Sequence, residues 1–209
     1  MVFFKEKKDN QMIANLISSG DRPNMVSKLT ILQNEISVSF NTNVLVITSI
    51  GEDKLAAAFG KALAETYASN NSNYLLIDAN LYDPCLASLL GEATPASTNH
   101  KEGKESPLVV KDLGNGNGIL FMGKEIYPSD VYKSGVIHNL INESKEKYEH
   151  IIVLAPSIKE HKEVVLFKDV LDSVLLVARR DGTKKKEVYN SLVYLAEQQI
   201  PVSKTVILK

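Results

Sequence analysis

The sequence is poor in cysteine, in long apolar runs and in net charge, and each shortage excludes a class of protein. Its 209 residues contain one cysteine, Cys85, so no internal disulfide can form. No apolar run approaches the roughly 20 residues that a membrane-spanning helix needs. The 24 basic and 25 acidic residues nearly cancel, so no global positive field attracts nucleic acid. These features fit a protein of the reducing cytoplasm.

What the sequence does contain is a series of short apolar runs that alternate with helical patterns. The runs are rich in Val, Ile and Leu and are continuous, which is typical of strands covered on both faces. We predict strands at 43–49, 74–78, 118–122, 150–155, 173–178 and 202–208. We predict helices at 25–38, 53–69, 129–147, 160–171 and 183–199. This alternation predicts an α/β fold with a doubly wound, mostly parallel sheet and helices on both faces.

The domain organisation follows from length and from local composition. A chain of this size builds one core, and we predict a single domain over residues 23–209 after a flexible lead-in over 1–22. The stretch 92–117 is polar and rich in turn-forming residues. We therefore expect a mobile surface excursion there.

The turn after the first long strand is where a phosphate-binding fold would place its glycine-rich loop. Such a loop needs glycines whose N–H groups cradle phosphate, a lysine to neutralise it, and Ser or Thr to hold magnesium. The turn here reads Ser49-Ile-Gly-Glu-Asp-Lys-Leu-Ala-Ala-Ala58. It therefore has one glycine and one lysine, and lacks the hydroxyl residues that should follow the lysine.

Three further segments of the sequence carry recognisable motifs. The first runs from Glu65 through Leu76-Ile-Asp78 to Pro84, the second from Tyr127-Pro-Ser-Asp130 to Val153, and the third from Leu171 to Arg179 with Gly182-Thr183 and Glu187-Val188. In this order they resemble the bacterial protein-tyrosine kinases of capsule and exopolysaccharide synthesis, within the partition and cell-division ATPases that have a deviant P-loop. The resemblance covers roughly residues 25–209 and implies a P-loop NTPase-like three-layer sandwich.

The nucleotide motifs of that family are degenerate in this chain. Counted back without gaps from Thr66-Tyr-Ala68, the lysine position falls on Ala56, the hydroxyl positions on Ala57 and Ala58, and the glycine positions on Asp53 and Leu55. The second motif, Asp-x-Asp followed by Arg, becomes Asp78-Ala-Asn80 followed by Tyr82, and the third motif's aspartate is Leu154. Each lost charge-assisted contact costs on the order of 1.5–3 kcal/mol.

We therefore predict no catalytic residue, no cofactor-binding residue and no metal ligand. The vestigial nucleotide-site positions, if any persist, are Lys54, Asp78 and Arg179. The simpler interpretations are that Lys54 is an exposed lysine at a helix start, and that Asp78 caps the turn after its strand. The four histidines are scattered and lack metal-ligand spacing.

The resulting functional hypothesis is a pseudokinase that acts by contact, as a scaffold or regulator in capsule or exopolysaccharide synthesis, without a cofactor. The resemblance implies a partner, either a membrane-anchored polysaccharide chain-length regulator or a kinase paralogue. Through that partner a cytoplasmic protein would reach the inner face of the membrane. No nucleic-acid partner is expected.

Two alternative functions stay open. One alternative is an active tyrosine kinase or ATPase that uses ATP and Mg at a site rewired around Lys54, Asp78 and Arg179. The other is an ATP-independent localisation module of the partition-ATPase type.

The family's ring-forming motif, Glu-x-x-Arg-x-x-Arg, falls on Ser27, Thr30 and Gln33. We therefore predict a monomer or a dimer rather than a ring.

Overall fold

Strands and helices alternate along the chain in the computed structural model, which describes residues 2–4, 22–40, 42–91, 108–122 and 128–208. The strands of this part of the chain are Val2–Phe4 (β1), Val44–Ser49 (β2), Tyr74–Asp78 (β3), Leu108–Gly114 (β4), Asn117–Met122 (β5), His150–Leu154 (β6), Ser173–Arg179 (β7) and Val202–Leu208 (β8). The helices are Arg22–Phe40 (α1), Asp53–Ser69 (α2), Leu86–Leu89 (α3), Pro128–Lys133 (α4), Val136–Ser144 (α5) and Lys185–Glu197 (α6). A 3₁₀ helix spans Glu163–Phe167.

These strands form one sheet in the order β1-β8-β7-β2-β6-β3-β5-β4. Every neighbouring pair is parallel except β4 with β5. The doubly wound, mostly parallel α/β sheet predicted from the sequence is therefore confirmed. Strand β2 lies at its centre, with Val46 level with Val153 of β6 and with Val174 of β7. The carboxyl ends of β2, β3, β6 and β7 consequently meet at one edge, where open α/β sheets bind their ligands.

Both faces of the sheet are covered, which explains why the strands read as continuous apolar runs. All six residues of β2 are buried. One face packs against α1 and α2 through Leu32, Phe59 and Leu63, and the other packs against side chains that include Ile141 and Phe167. Both cores meet at β2, so the turn that follows β2 starts from a rigid position.

The structure differs from the sequence prediction at the end of the proposed 92–117 excursion. Residues 92–107 lie outside the described residues, and their mobility stays a prediction. From Leu108 the chain forms β4, which pairs antiparallel with β5. Asn115 and Gly116 connect the two strands with φ values of 54° and 78°. Positive φ at both central residues is the geometry that two-residue hairpins prefer.

The predicted lead-in over 1–22 also differs at its start. Residues Val2–Phe4 form β1 and pair in parallel with β8, and α1 already begins at Arg22. Residues 5–21 lie outside the described residues. The flexibility of that stretch therefore stays a prediction.

Two of the predicted helices are shorter or broken. The helix predicted at 160–171 is wrong, because a 3₁₀ helix at Glu163–Phe167 replaces it. Val164, Phe167 and Val170 are buried, and their spacing of three matches the three residues per turn of a 3₁₀ helix. The helix predicted at 129–147 is split into α4 and α5 by Gly135, whose φ of 71° interrupts a right-handed helix.

Candidate functional site

The turn between β2 and α2 is closed by contacts within the protein. Gly51 has a φ of 105°, a conformation that glycine adopts without steric cost. Its N–H donates to Ser157 Oγ at 2.9 Å, and the N–H of Ile50 donates to the Val177 carbonyl at 2.8 Å. A phosphate-binding loop would point such N–H groups at its ligand. Here two of them are used to hold β2 to β6 and β7.

Asp53 occupies the first turn of α2, where a bound phosphate would lie in this fold. Its Oδ1 accepts a hydrogen bond from the Ser49 hydroxyl at 2.7 Å, and its Oδ2 accepts one from Asn80 Nδ2 at 2.7 Å. Ser49 ends β2 and Asn80 follows β3, so the carboxylate links the ends of two strands to the helix. Asp53 therefore fills part of this sheet edge with a negative charge of the protein itself.

The surroundings of Asp53 are unfavourable for further negative charge. Burial raises the pKa of its carboxyl, the hydrogen bonds from Ser49 and Asn80 lower it, and the charges of Glu160 and Asp83 raise it again. A phosphate would add a doubly charged anion to the same region. These residues do not fit the phosphates of a nucleotide at the start of α2.

The three alanines at the predicted lysine and hydroxyl positions point into the hydrophobic core. Ala56 and Ala57 are at most 3 % exposed, and Ala58 is 8 % exposed. They pack in the same cluster as Phe59 and Leu63. These three alanines therefore contribute to the packing between α2 and the sheet.

Lys54 lies nearer the start of α2 than Ala56 does. It is the second residue of the helix, and its side chain is exposed at the site. Lys54 therefore lies at the carboxyl edge of the sheet, where a vestigial nucleotide site would need it. The interpretation as an exposed lysine at a helix start agrees with the same geometry.

Asp78 is turned away from solvent and caps the chain after β3. Its side chain is 2 % exposed, Oδ2 accepts the N–H of Leu86 at 2.9 Å, and Oδ1 accepts the N–H of Asn80 at 3.3 Å. Burial raises its pKa to about 6, against the lowering effect of these hydrogen bonds. This is the turn-capping role that the simpler interpretation of Asp78 predicts.

Arg179 ends β7 and is bound to the turn after β2. Its Nη1 lies 3.0 Å from Glu52 Oε1 and 3.2 Å from Glu52 Oε2. Both side chains are more than one third exposed, so the ion pair contributes at most about 1 kcal/mol. The pair nevertheless places a carboxylate beside the cation that a nucleotide phosphate would need.

Leu154 stands at the position expected for the aspartate of the third motif, and its side chain belongs to the core. It is 2 % exposed and packs against Gly60 of α2, where an added Cβ would lie 2.5 Å from Leu154 Cδ2. The missing side chain of Gly60 thus gives Leu154 its space. A residue packed in this way orients neither a metal nor a water molecule.

An open cavity of about 400 Å³ remains at this edge of the sheet. Its wall includes Tyr82, whose hydroxyl donates to Glu163 and whose ring stacks on His161 at 3.9 Å. Carboxylates outnumber cationic groups around it; the lining residues are Gly51, Glu52, Asp53, Lys54, Tyr82, Asp83, Glu160, His161 and Arg179. The lining of the cavity is therefore predominantly acidic.

Sequence reasoning missed the residues that close the site. Asn80 was identified only as a lost aspartate, whereas it donates the hydrogen bond that fixes Asp53. Ser157 and Glu52 had no assigned role, although they bind Gly51 and Arg179. The sequence showed the two changes, a carboxylate at position 53 and an amide at position 80, but not that these side chains face each other.

Neither a metal site nor a membrane-spanning helix is present within the described ranges. No group of three or more His, Cys, Asp and Glu side chains in them is arranged to hold a metal ion. His100 lies outside these ranges. None of the helices within the described ranges combines the length and apolarity needed to cross a bilayer.

Solved structures of bacterial tyrosine kinase domains resemble this chain over nearly its whole length. The kinase domain of Escherichia coli tyrosine kinase ETK matches with a TM-score of 0.81 and 17 % identity, over 100 % of this chain and 91 % of that one. The VpsO kinase domain matches with a TM-score of 0.72 and 21 % identity, over 90 % and 96 %. The cell division protein MinD of Aquifex aeolicus matches with a TM-score of 0.52 and 22 % identity, over 79 % and 68 %.

The chain thus has the P-loop NTPase-like α/β fold of these kinase domains. Its structural neighbours are of the kind that the sequence motifs indicated. No model of a protein family matches the sequence, and no curated protein matches it.

Proposed function

We propose that this chain is a catalytically degenerate, kinase-like protein that acts as a scaffold or regulator in capsule or exopolysaccharide synthesis. The observation that carries the proposal is the Asp53 carboxylate, held at the start of α2 by Ser49 and Asn80. The protein itself fills the place of the ligand. It therefore acts by contact rather than by phosphoryl transfer, without ATP, magnesium or another cofactor.

The electrostatics of the turn support this proposal. Two unit charges 4 Å apart repel by about 4 kcal/mol at an effective dielectric constant of 20. A phosphate beside Asp53 would meet this repulsion, and two groups that could offset it are already engaged, since Arg179 is bound to Glu52 and the Gly51 N–H is bound to Ser157. Micromolar affinity corresponds to about 8 kcal/mol, so a penalty of this size removes half of it.

The residue at position 80 also matches Asp53. An aspartate there would face the Asp53 carboxylate and repel it, whereas the amide of Asn80 donates a hydrogen bond to it. This match supports a turn that is stabilised by contacts within the protein.

We propose that the partner is a membrane-anchored polysaccharide chain-length regulator or a kinase paralogue, reached from the cytoplasm. The likeness to the ETK and VpsO kinase domains supports a partner of this kind. Gln33, at one position of the ring-forming motif, is 7 % exposed and accepts a hydrogen bond from Asn70 Nδ2 at 2.9 Å. Since this side chain is directed into its own fold, we propose a monomer or dimer rather than a ring.

Calorimetry with Mg-ATP tests the proposal. We expect no saturable heat at nucleotide concentrations up to millimolar, with the ETK kinase domain in the same buffer as the positive control. Asp53→Asn should increase the affinity for ATP at least tenfold, whereas Asp83→Asn, at the rim of the same cavity, should change it much less. Micromolar binding by the unmodified chain would contradict the proposal.

One observation favours a second candidate, an active kinase or ATPase with a rewired site. Lys54 lies on the first turn of α2 and lines the cavity together with Arg179, so both cations face the same space. In this candidate Lys54 and Arg179 would bind phosphate and Asp78 would act beside them. It requires ATPase activity that Lys54→Ala abolishes and that Lys133→Ala, an exposed lysine of α4, leaves unchanged.

A further inference from the structure

A second feature of the carboxyl edge of the sheet is a cluster of exposed cations at the start of α6. Arg180, Lys184, Lys185 and Lys186 are all exposed, and no ion pair joins any of them to another described residue. Tyr189, one turn along α6, is 67 % exposed. We call these five residues the polybasic face.

Hydrogen bonds fix the backbone of the turn that carries these cations. The Thr183 hydroxyl accepts the N–H of Arg179 at 3.1 Å and donates to the carbonyl of Ile50 at 3.3 Å. The N–H of Arg180 donates to the carbonyl of Leu208 in the neighbouring strand at 2.6 Å. The backbone that carries the polybasic face is therefore ordered before any partner binds, which lowers the entropy cost of binding.

Glu187, the acidic residue in the first turn of α6, is already engaged. Glu187 accepts the N–H of Lys184 on Oε2 at 2.8 Å, and its Oε1 lies 3.0 Å from Lys159 Nζ. The ion pair therefore joins Glu187 to a lysine outside the polybasic face. It does not join Glu187 to Lys185 or Lys186 in the first turn of the helix.

This placement is unfavourable for the isolated protein. The N-terminus of a helix carries a partial positive charge, so cations in the first turn are repelled by it and by one another. The chain as a whole has a net charge of −1, so the cluster is a local departure from a balanced composition. Departures from a local rule mark functional positions, and an external anionic partner would relieve the repulsion.

We propose that the polybasic face docks directly on the surface of a membrane that contains anionic phospholipids. Three of its four cations are lysines, which act as mobile point charges and suit a diffuse field of headgroups rather than bidentate recognition. Tyr189 lies three and four residues after Lys186 and Lys185, on the same side of α6. An exposed tyrosine beside lysines fits the headgroup level of a bilayer.

A nucleic acid or an acidic peptide fits these observations less well. Four cations neutralise only a few phosphates of a nucleic acid, and three of the four are lysines, which lack the bidentate fork of arginine. The proposal does not depend on the pseudokinase assignment, because the polybasic face shares no residue with the cavity. Calorimetry with ATP therefore tests the pseudokinase proposal, and vesicle binding tests the membrane proposal, each independently of the other.

Flotation of the full chain with vesicles tests the proposal. We expect binding to vesicles of phosphatidylcholine with 30 % phosphatidylglycerol, no binding to phosphatidylcholine alone, and release as salt rises from about 0.05 to 0.5 M. The triple substitution Lys184→Gln, Lys185→Gln and Lys186→Gln should weaken binding by about fivefold for each lysine, or roughly a hundredfold in all.

A matched control removes the same charge at the opposite edge of the sheet. Lys145, Lys147 and Lys168 are exposed and precede β6 and β7, so changing these three to Gln should alter vesicle binding less than threefold. Tyr189→Ser should weaken binding several-fold without changing its salt dependence. Thermal melting of each variant verifies that the fold is retained.

Three results would overturn the proposal. These are equal binding to neutral and anionic vesicles, unchanged binding by the triple variant, and tighter binding of a DNA duplex or a poly-glutamate peptide than of the anionic vesicles at the same salt. The last result would assign the polybasic face to a different class of partner.

Discussion

The hydrogen bond between Asn80 and Asp53 can be tested by placing a carboxylate at position 80, as the Asp-x-Asp form of the second motif would have it. Asn80 is 2 % exposed, and its Nδ2 lies 2.7 Å from Asp53 Oδ2. The substitution Asn80→Asp keeps the size of the side chain and places a second carboxylate against the first. We expect this variant to be strongly destabilised near neutral pH.

The expected loss has two parts. Removing a hydrogen bond to a charged group costs about 1.5–3 kcal/mol. Two carboxylates about 4 Å apart add roughly 4 kcal/mol at an effective dielectric constant of 20, which solvent around the half-buried Asp53 reduces to about 2 kcal/mol. One carboxyl of such a pair can bind a proton, which limits the repulsion. The free energy of unfolding should therefore be about 2–5 kcal/mol lower in the variant at pH 7.5, and this difference should become smaller at pH 5.

Urea unfolding at the two pH values measures this effect. The double variant Asp53→Asn with Asn80→Asp exchanges the partners and should regain most of the lost stability. Asp112→Asn, in the exposed β4 strand, serves as the control for a change of one charge and should have little effect. A loss below about 0.5 kcal/mol, or a loss equal at both pH values, would refute the idea that Asp53 and Asn80 are coupled.

Three further predictions follow from the packing around this edge. Burial raises the pKa of Asp78 from 3.8 to about 6, so its contribution to stability is present below pH 3.8 and is lost as pH rises through 6. The free energy of unfolding should therefore fall by about 3 kcal/mol over this range, and Asp78→Asn should remove this pH dependence in urea titrations. Gly60→Ala should destabilise by about 1–3 kcal/mol through overpacking against Leu154, and Leu154→Ala in the same chain should relieve the clash, as a double-mutant cycle would show. Ser157→Ala leaves the N–H of Gly51 without its acceptor and should cost about 1–2 kcal/mol in thermal or urea unfolding; an unchanged midpoint would contradict the described turn.

The fold could be predicted from the sequence because its signals are local. Continuous apolar runs such as 44–49 identify strands covered on both faces, and the positions of β2, β3 and β8 were predicted to within one residue. The 3₁₀ helix was missed because a spacing of three also occurs within a helical pattern. Strand β4 is not predicted, because Asn115 and Gly116, which connect it to β5, lie at the end of a stretch rich in turn-forming residues.

The closure of the site could be predicted only in part. The losses at Ala56, Asn80 and Leu154 are visible in the sequence, and they indicated a degenerate phosphate site. The new contacts are not visible, because Ser49, Asp53 and Asn80 meet only when the ends of β2 and β3 are brought to one edge. A pairing over 27 residues of sequence depends on the register of the sheet, which composition and periodicity do not determine.

These contacts lead to a prediction about how stability depends on ligands. A nucleotide enzyme leaves polar groups at its phosphate site for the ligand to satisfy, so binding stabilises it by RT ln(1 + [L]/Kd), or about 2.7 kcal/mol at a hundred times Kd. Here two of the polar groups at the turn are satisfied internally: the Asp53 carboxylate by Ser49 and Asn80, and the Gly51 N–H by Ser157.

We therefore expect Mg-ATP at millimolar concentration to leave the melting temperature of this chain unchanged, while it raises that of the ETK kinase domain by several degrees. Ser49→Ala removes one internal partner of Asp53 and should lower the melting temperature without creating a response to nucleotide. A rise of several degrees in the unmodified chain would mean that the turn opens to admit phosphate. The internal contacts would then act as a latch on a working site rather than as a replacement for it.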